Sequence, residues 1–238
     1  ETVFVVFRKK SVIICLILVL AVILSCVMLS YASAEVSSVP KIGKTVVIDA
    51  GHGGVDGGLS GVNTGVKESE INLAIAKSLK HFLVRNGYDV VMTRENNDGL
   101  YGLSTKNKKL RDMEARRDII KEAQPDLVVS VHQNFYPLSS VRGAQVFYCL
   151  EGEESKKIAE SVQDTLNSSL EGDRVAKTGD YYILNCTEYP SVLVECGFLS
   201  NPEEEKLLVT AVYQEKVAYT LFCAIHSLFG GQSEHIHS

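Results

Sequence analysis

Six cysteines occur in the chain, yet no two form a C-x-x-C pair. Cys15 and Cys26 fall in an apolar N-terminal segment; Cys149, Cys186, Cys196 and Cys223 are scattered through the rest. Such spacing indicates neither a zinc knuckle nor a disulfide framework. An excess of positive charge is missing too. The chain carries 24 basic and 29 acidic side chains, and residues 1–34 hold three of the former and one of the latter. Residues 35–238 therefore bear a net charge of −7, which argues against nucleic acid as the main partner. No G-x-x-x-x-G-K-S/T run is present, so there is no P-loop. Internal repeats and low-complexity tracts are absent as well. What is present is 45% apolar residues over 238 positions, enough for one moderate domain with a real core.

The N-terminus reads separately. Arg8, Lys9 and Lys10 precede an uncharged stretch over residues 12–29, and Ala32-Ser33-Ala34 follows it in a small-x-small pattern. Residues 1–34 are expected to be a cleaved signal or an uncleaved membrane anchor. A buried core helix is the bland alternative. Either membrane reading places residues 35–238 outside, in the cell envelope. Residues 35–44 read as a linker, residues 45–229 as the functional domain, and residues 230–238 as a polar tail whose His235 and His237 are incidental.

From residue 45 on, strand-like and helix-like segments alternate. Residues 45–48, 88–92, 127–131, 144–149, 181–184 and 192–194 are strand candidates. Helical spacing covers residues 70–85, closed by Gly87, and residues 156–170, with Ile158, Ala159, Val162 and Leu166 on one face. It also covers residues 111–123, with Met113, Ile119, Ile120 and Ala123 facing inward, and residues 202–229, with a break near Val209. The expectation is an α/β fold, a mixed and largely parallel twisted sheet flanked by helices on both faces. Residues 95–109 form a polar loop too long for a tight turn, either a functional wall or a solvated excursion.

Residues 46–56 read VVIDAGHGGVD, a buried strand running into glycines. A dinucleotide fingerprint fails there, because the sixth position is Asp56. The other candidate is a metal ligand. His52 follows one buried strand and His132 follows another, in VVSVHQN; the carboxyl ends of such strands carry functional groups. A carboxylate at a helix entrance, Glu68 or Glu70, would complete a three-ligand zinc set, although either also suits the positive end of a helix. His81 and His226 lie within helices and fit packing or surface roles. Glu195 ends the apolar run Val192-Leu193-Val194, where a carboxylate is costly unless paired or functional. It is a candidate general base, with a salt bridge or helix cap as the alternative. Cys196 points away from it by strand alternation.

Four blocks, VVIDAGHGGVDGG, ESEINLAIAKSL, LVVSVHQN and PSVLVECGFLSNPEEE, stand in order over residues 45–229. Together they resemble the zinc-dependent N-acetylmuramoyl-L-alanine amidases, the amidase-3 family. The resemblance implies one Zn²⁺ held by His52, Glu68 and His132, with Glu195 catalytic; Glu68 is preferred to Glu70 because the family places its ligand four residues before Asn-Leu. It implies a peptidoglycan substrate cut between the lactyl group of N-acetylmuramic acid and L-alanine. Asp49, Asp56, Gly53, Gly54, Asn134 and Arg116 are candidates for supporting the ligands or contacting substrate. Asp49 and Asp56 would orient the imidazoles or stabilise the turn, and Gly53 and Gly54 would let the backbone approach metal or substrate. The segment TRENNDGLYGLSTKNKKLRDMEARRD, the run RGAQVFY and the lack of a wall-binding repeat most resemble the germination-specific, CwlD-type amidases of spore formers. That likeness implies a role in cortex maturation through muramic-δ-lactam formation and in germination. An exported regulatory or recruiting protein is a plausible partner. Gln133 departs from the family's small residue and is expected to alter the pocket wall. Another zinc hydrolase of peptidoglycan, a deacetylase or a non-catalytic wall-binding module are the alternatives.

Overall fold

The computed structural model describes residues 13–14, 16–25, 41–103 and 106–230. It divides into two units, residues 1–40 and 41–238. In the first, the described residues between 13 and 25 are helical, with exposed side chains. Arg8, Lys9, Lys10, Ala32-Ser33-Ala34 and most of the expected linker lie outside the described residues, as do His235 and His237. Among the described residues, no helix is long and apolar enough to cross a membrane.

In the second unit, six strands form one sheet in the order β2-β1-β3-β6-β4-β5. These are β1 (Thr45–Ala50), β2 (Asp89–Met92), β3 (Leu127–Asn134), β4 (Gln145–Tyr148), β5 (Lys177–Thr178) and β6 (Ser191–Phe198). Strands β2, β1, β3 and β6 run parallel, and β4 pairs antiparallel with β6. The three central strands are almost wholly buried, as continuous apolar runs in a doubly covered sheet require.

The period of two in each strand divides the core. Val46, Ile48, Val129, Val131, Val192 and Val194 face the larger apolar cluster. There they meet α1 (Glu68–Arg85), α3 (Glu153–Leu170) and α6 (Ala211–Phe229). Val47, Val128 and Leu193 face the other side, toward α2 (Lys108–Ala123) and the short turn α4 (Tyr182–Asn185). Helix α1 ends as its sequence indicates: Gly87 takes φ 84°, and Tyr88 N–H closes back on the Leu83 carbonyl. The long C-terminal helix is broken at residues 209–210. Leu208 ends α5 (Pro202–Leu208), and the Thr210 hydroxyl caps α6 by accepting from Tyr213 N.

Three expectations change. Residues 181–184 are not a strand; α4 is a helical turn packed on the sheet, which a four-residue apolar run cannot signal by periodicity. Strand β5 is exposed and two residues long, too short for a pattern. Of the apolar set read from spacing in α2, Ile120 is buried and Ala123 packs beside it, but the rest of the buried stripe is Asp112 and Arg116 rather than Met113 and Ile119. Asp112 and Arg116 pair with each other, and Arg116 also pairs with Asp49, which a hydrophobicity pattern cannot reveal.

Candidate metal centre

Strands β1, β3 and β6 deliver their carboxyl ends to one place. His132 lies opposite Glu195 in the β3–β6 register, and β3 shifts register between His132 and Asn134. His52 follows β1 after Gly51 and adopts φ 62°, a left-handed conformation that costs a non-glycine residue on the order of 1 kcal/mol or more. Buried hydrogen bonds hold that turn. Arg116 Nη2 donates to the His52 carbonyl at 2.6 Å, and Arg94 Nη2 donates to the Gly51 carbonyl at 2.9 Å.

Glu68, the first residue of α1, is 1% exposed, whereas Glu70 is exposed. Glu68 Oε1 lies 3.3 Å from His52 Nε2 and 3.0 Å from His132 Nδ1. The donor atoms of His52, Glu68 and His132 all lie within 4.8 Å of one another. Asp56 Oδ1 sits 3.0 Å from His52 Nδ1, so a proton on that nitrogen leaves Nε2 free to ligate. Two imidazoles and one carboxylate are the donor set of a catalytic zinc, with the fourth position left for the reaction.

Burial drives the Glu195 carboxyl up to about 7, against the opposing influence of His132. Its Oε2 is buried and has no hydrogen-bond partner among the described residues. A buried carboxylate oxygen of this kind beside three candidate ligands suits a proton-transfer role. Asp49 goes the opposite way. Burial alone would raise it, but Arg116, Ser130 and Thr93 outweigh burial and hold it at about 2. For Glu68, burial is likewise outweighed, here by the two histidines, and its carboxyl falls well below the usual range.

The glycines divide by what a side chain would strike. A Cβ at Gly51 would lie 2.2 Å from His132 Nε2, and one at Gly58 would lie 2.4 Å from Glu68 Oε2. These two bring backbone against the ligands. Gly53 and Gly54 instead face Asp98, Arg94 and Tyr101 of the loop after β2. That loop is a wall of the site: Gly54 N donates to the Asn97 carbonyl and Val55 N to Tyr101 Oη.

A cleft of about 330 Å³ opens over His52 and His132, walled by Tyr101, Lys109, Met113 and Tyr181. Asn134 does not line this cleft, and its side-chain oxygen accepts from Phe135 N. Arg116 and Asp49 form a buried pair beneath the turn of His52 rather than a contact surface. Gln133 points to the opposite side of β3 from His132 and bonds Asn72, so it does not line the cleft. Sequence reasoning missed Arg94, Asn72 and Tyr181. Asn72 lies on a helix whose apolar periodicity dominates and Arg94 lies in the loop after β2, and only their buried polar contacts mark them.

Comparison with known proteins gives one consistent picture. The family model of N-acetylmuramoyl-L-alanine amidase (Amidase_3) matches residues 46–227. The germination-specific N-acetylmuramoyl-L-alanine amidase of Bacillus subtilis is 37% identical over 198 residues, covering 81% of this chain and 82% of that protein. N-acetylmuramoyl-L-alanine amidase LytC of the same organism is 35% identical over 185 residues, 76% of this chain but 35% of its own length. Among solved structures, the CwlD amidase of Clostridioides difficile in complex with the GerS lipoprotein superposes with a TM-score of 0.76 at 35% identity. It covers 79% of this chain and 99% of that one.

Proposed function

The chain belongs to the N-acetylmuramoyl-L-alanine amidase family, and from that membership we propose that it is a zinc enzyme of the spore cortex, cutting between the lactyl group of N-acetylmuramic acid and L-alanine. The observation that carries the metal is the convergence of His52 Nε2, Glu68 Oε1 and His132 Nδ1 beside the unpartnered Glu195 Oε2. A bound Zn²⁺ would supply Lewis acidity, polarising the scissile carbonyl and acidifying water. Glu195 takes a proton from the attacking water and delivers it to the departing alanine nitrogen. A carboxyl held up near neutrality by burial suits both halves of that transfer. Asp56 holds the tautomer of His52, while Arg116 and Arg94 hold the carbonyls of the turn that carries it. Tyr101 and Tyr181 wall the cleft that receives the glycan-linked peptide.

The domain proposed to do this spans residues 45–229, with residues 1–34 as the signal or anchor that exports it to the cell envelope. Muramic-δ-lactam formation in cortex maturation and a part in germination follow from the likeness to the Bacillus subtilis germination-specific amidase. An exported lipoprotein is a fitting partner, since the Clostridioides difficile relative is seen in complex with one. Metal analysis of the purified chain with mass profiling of digested peptidoglycan tests the reading. One equivalent of zinc and stem peptides with a free L-alanine N-terminus are expected. Products that keep the lactyl–alanine bond while losing acetyl groups or C-terminal residues would point to a deacetylase or carboxypeptidase instead. Unchanged peptidoglycan together with tight binding to it would point to a wall-binding module.

A further inference from the structure

Asn72 is fully buried on α1, one helical turn after Glu68. Its Nδ2 donates to Glu68 Oε1 at 3.2 Å and to the Gly51 carbonyl at 3.2 Å. Its Oδ1 accepts from Gln133 Nε2 at 3.1 Å, and the backbone N–H of Gln133 donates to Glu68 Oε1 at 3.1 Å. Gly51 immediately precedes His52, and Gln133 immediately follows His132. One side-chain amide therefore ties together the three segments that carry the candidate ligands. Its orientation is unambiguous, because both partners of Nδ2 are acceptors only.

We propose that Asn72, backed by Gln133, is a positioning residue that aims the Glu68 carboxylate and sets the spacing of His52 and His132 for a metal ion. The inference rests on the metal site proposed above. The polarity of this pair has no packing reason. Ile71, Ile75 and Ala76 of the same helix, Val131 of the same strand as Gln133 and Cys196 of β6 belong to the apolar cluster on the α1 face of the sheet. Gln133 Oε1 is itself buried without a partner among the described residues, a cost of about 1–3 kcal/mol. An apolar pair would fill the same space without that cost. What the amides do is hold a carboxylate on which two ring nitrogens converge. Leu59 N donates to Glu68 Oε2 at 2.9 Å, so both oxygens of Glu68 are oriented by the chain. A neutral amide aims the carboxylate without adding a charge that would compete with a cation.

The test is Zn²⁺ affinity of the full chain, read by competition with a chromophoric chelator, with the visible spectrum of the Co²⁺-loaded protein as a second signal. Asn72→Leu is expected to weaken zinc binding roughly 10–100-fold and to alter the Co²⁺ bands. Gln133→Met, which leaves Asn72 in place, is expected to do the same to a smaller degree. A folded Asn72→Leu protein with parental affinity and an unchanged spectrum overturns the proposal. If that variant does not fold, Gln133→Met decides, and parental values there overturn it equally. A parental chain that binds no zinc removes the metal site and this inference together, whereas equal affinities in parent and variant remove only the positioning role.

Discussion

The two faces of the sheet are made by the same strands and carry opposite kinds of side chain. On the α1, α3 and α6 side the strands present an apolar layer. On the α2 and α4 side they present Val47, Val128 and Leu193 low in the sheet. Toward the carboxyl ends of the same strands stand Asp49, Ser130, His132 and Glu195. A period of two suffices to separate the two duties. One face supplies hydrophobic stability, and the other holds charges at a desolvation cost that the first must offset. Within the second face, two buried carboxylates are driven apart. Asp49 is held at about 2 by Arg116 and its hydroxyl partners, and Glu195 is raised to about 7 by burial without a partner. The first is held ionised by its partners, and the second has the raised carboxyl that the proposed proton transfer calls for.

The comparison breaks most sharply at Glu195. Glu195→Gln is expected to lower amide cleavage by roughly 10²–10⁴-fold while zinc stays bound, as checked by muropeptide profiling beside metal analysis. Full activity in that variant would remove Glu195 from the reaction. Asp49→Asn should instead cost stability, about 3–5 kcal/mol, because it leaves Arg116 buried with only Asp112 as its carboxylate partner; denaturant unfolding reads this. Leu79→Ala on the apolar face is expected to cost about 2–5 kcal/mol in the same assay. Unlike the Glu195 change, it should leave the zinc affinity of the folded protein unaltered, and a large fall in affinity would contradict the division of labour.

A pH series sharpens the contrast between the carboxylates. Asp49 sits below its ordinary 3.8, so its contribution is full above about pH 4 and is lost as pH falls toward 2. Glu195 sits above its ordinary 4.5, so in the metal-free protein its ionisation costs stability as pH rises from 4.5 through about 7. Asp49→Asn should flatten the acid loss, and Glu195→Gln should remove the neutral one. Bound zinc favours the ionised carboxylate, so the acid limb of activity is expected at or below about pH 7. The smallest effect is expected at Glu70, which is exposed two residues from Glu68. Glu70→Gln should change stability by less than about 0.5 kcal/mol and leave zinc affinity alone.

The residues show unevenly how much could be read beforehand. His52, His132 and Glu195 stood out as candidates because the two histidines follow buried strand candidates and Glu195 ends an apolar run, where a polar residue needs a reason. Glu68 was separable from Glu70 only by family resemblance; Glu68 is buried against the two imidazoles, whereas Glu70 is exposed. Gly53 and Gly54 were expected to let the backbone approach metal or substrate; Gly53 lines the cleft, while Gly51 and Gly58 are the glycines packed against the candidate ligands. The buried charges of α2 gave no periodic signal, because periodicity registers apolar faces; Asn72 entered only through the Asn-Leu of the family pattern and Gln133 only as an expected pocket wall, whereas the two amides bond each other.

By itself the amino-acid order determined the alternating α/β plan, the buried central strands and the polar residues that end them, since those depend on local periodicity and on the cost of burying charge. The tertiary structure decided which of these residues meet. Parallel strands bring residues 52, 132 and 195 to one edge, and α1 sets Glu68 between the two imidazoles. Helix α2, distant in sequence, brings the guanidinium that holds Asp49 charged and the His52 turn in place. Pairing of that kind depends on contacts between residues far apart in the chain, so only the folded arrangement could set Asp49 against a guanidinium and leave Glu195 Oε2 without a hydrogen-bond partner among the described residues.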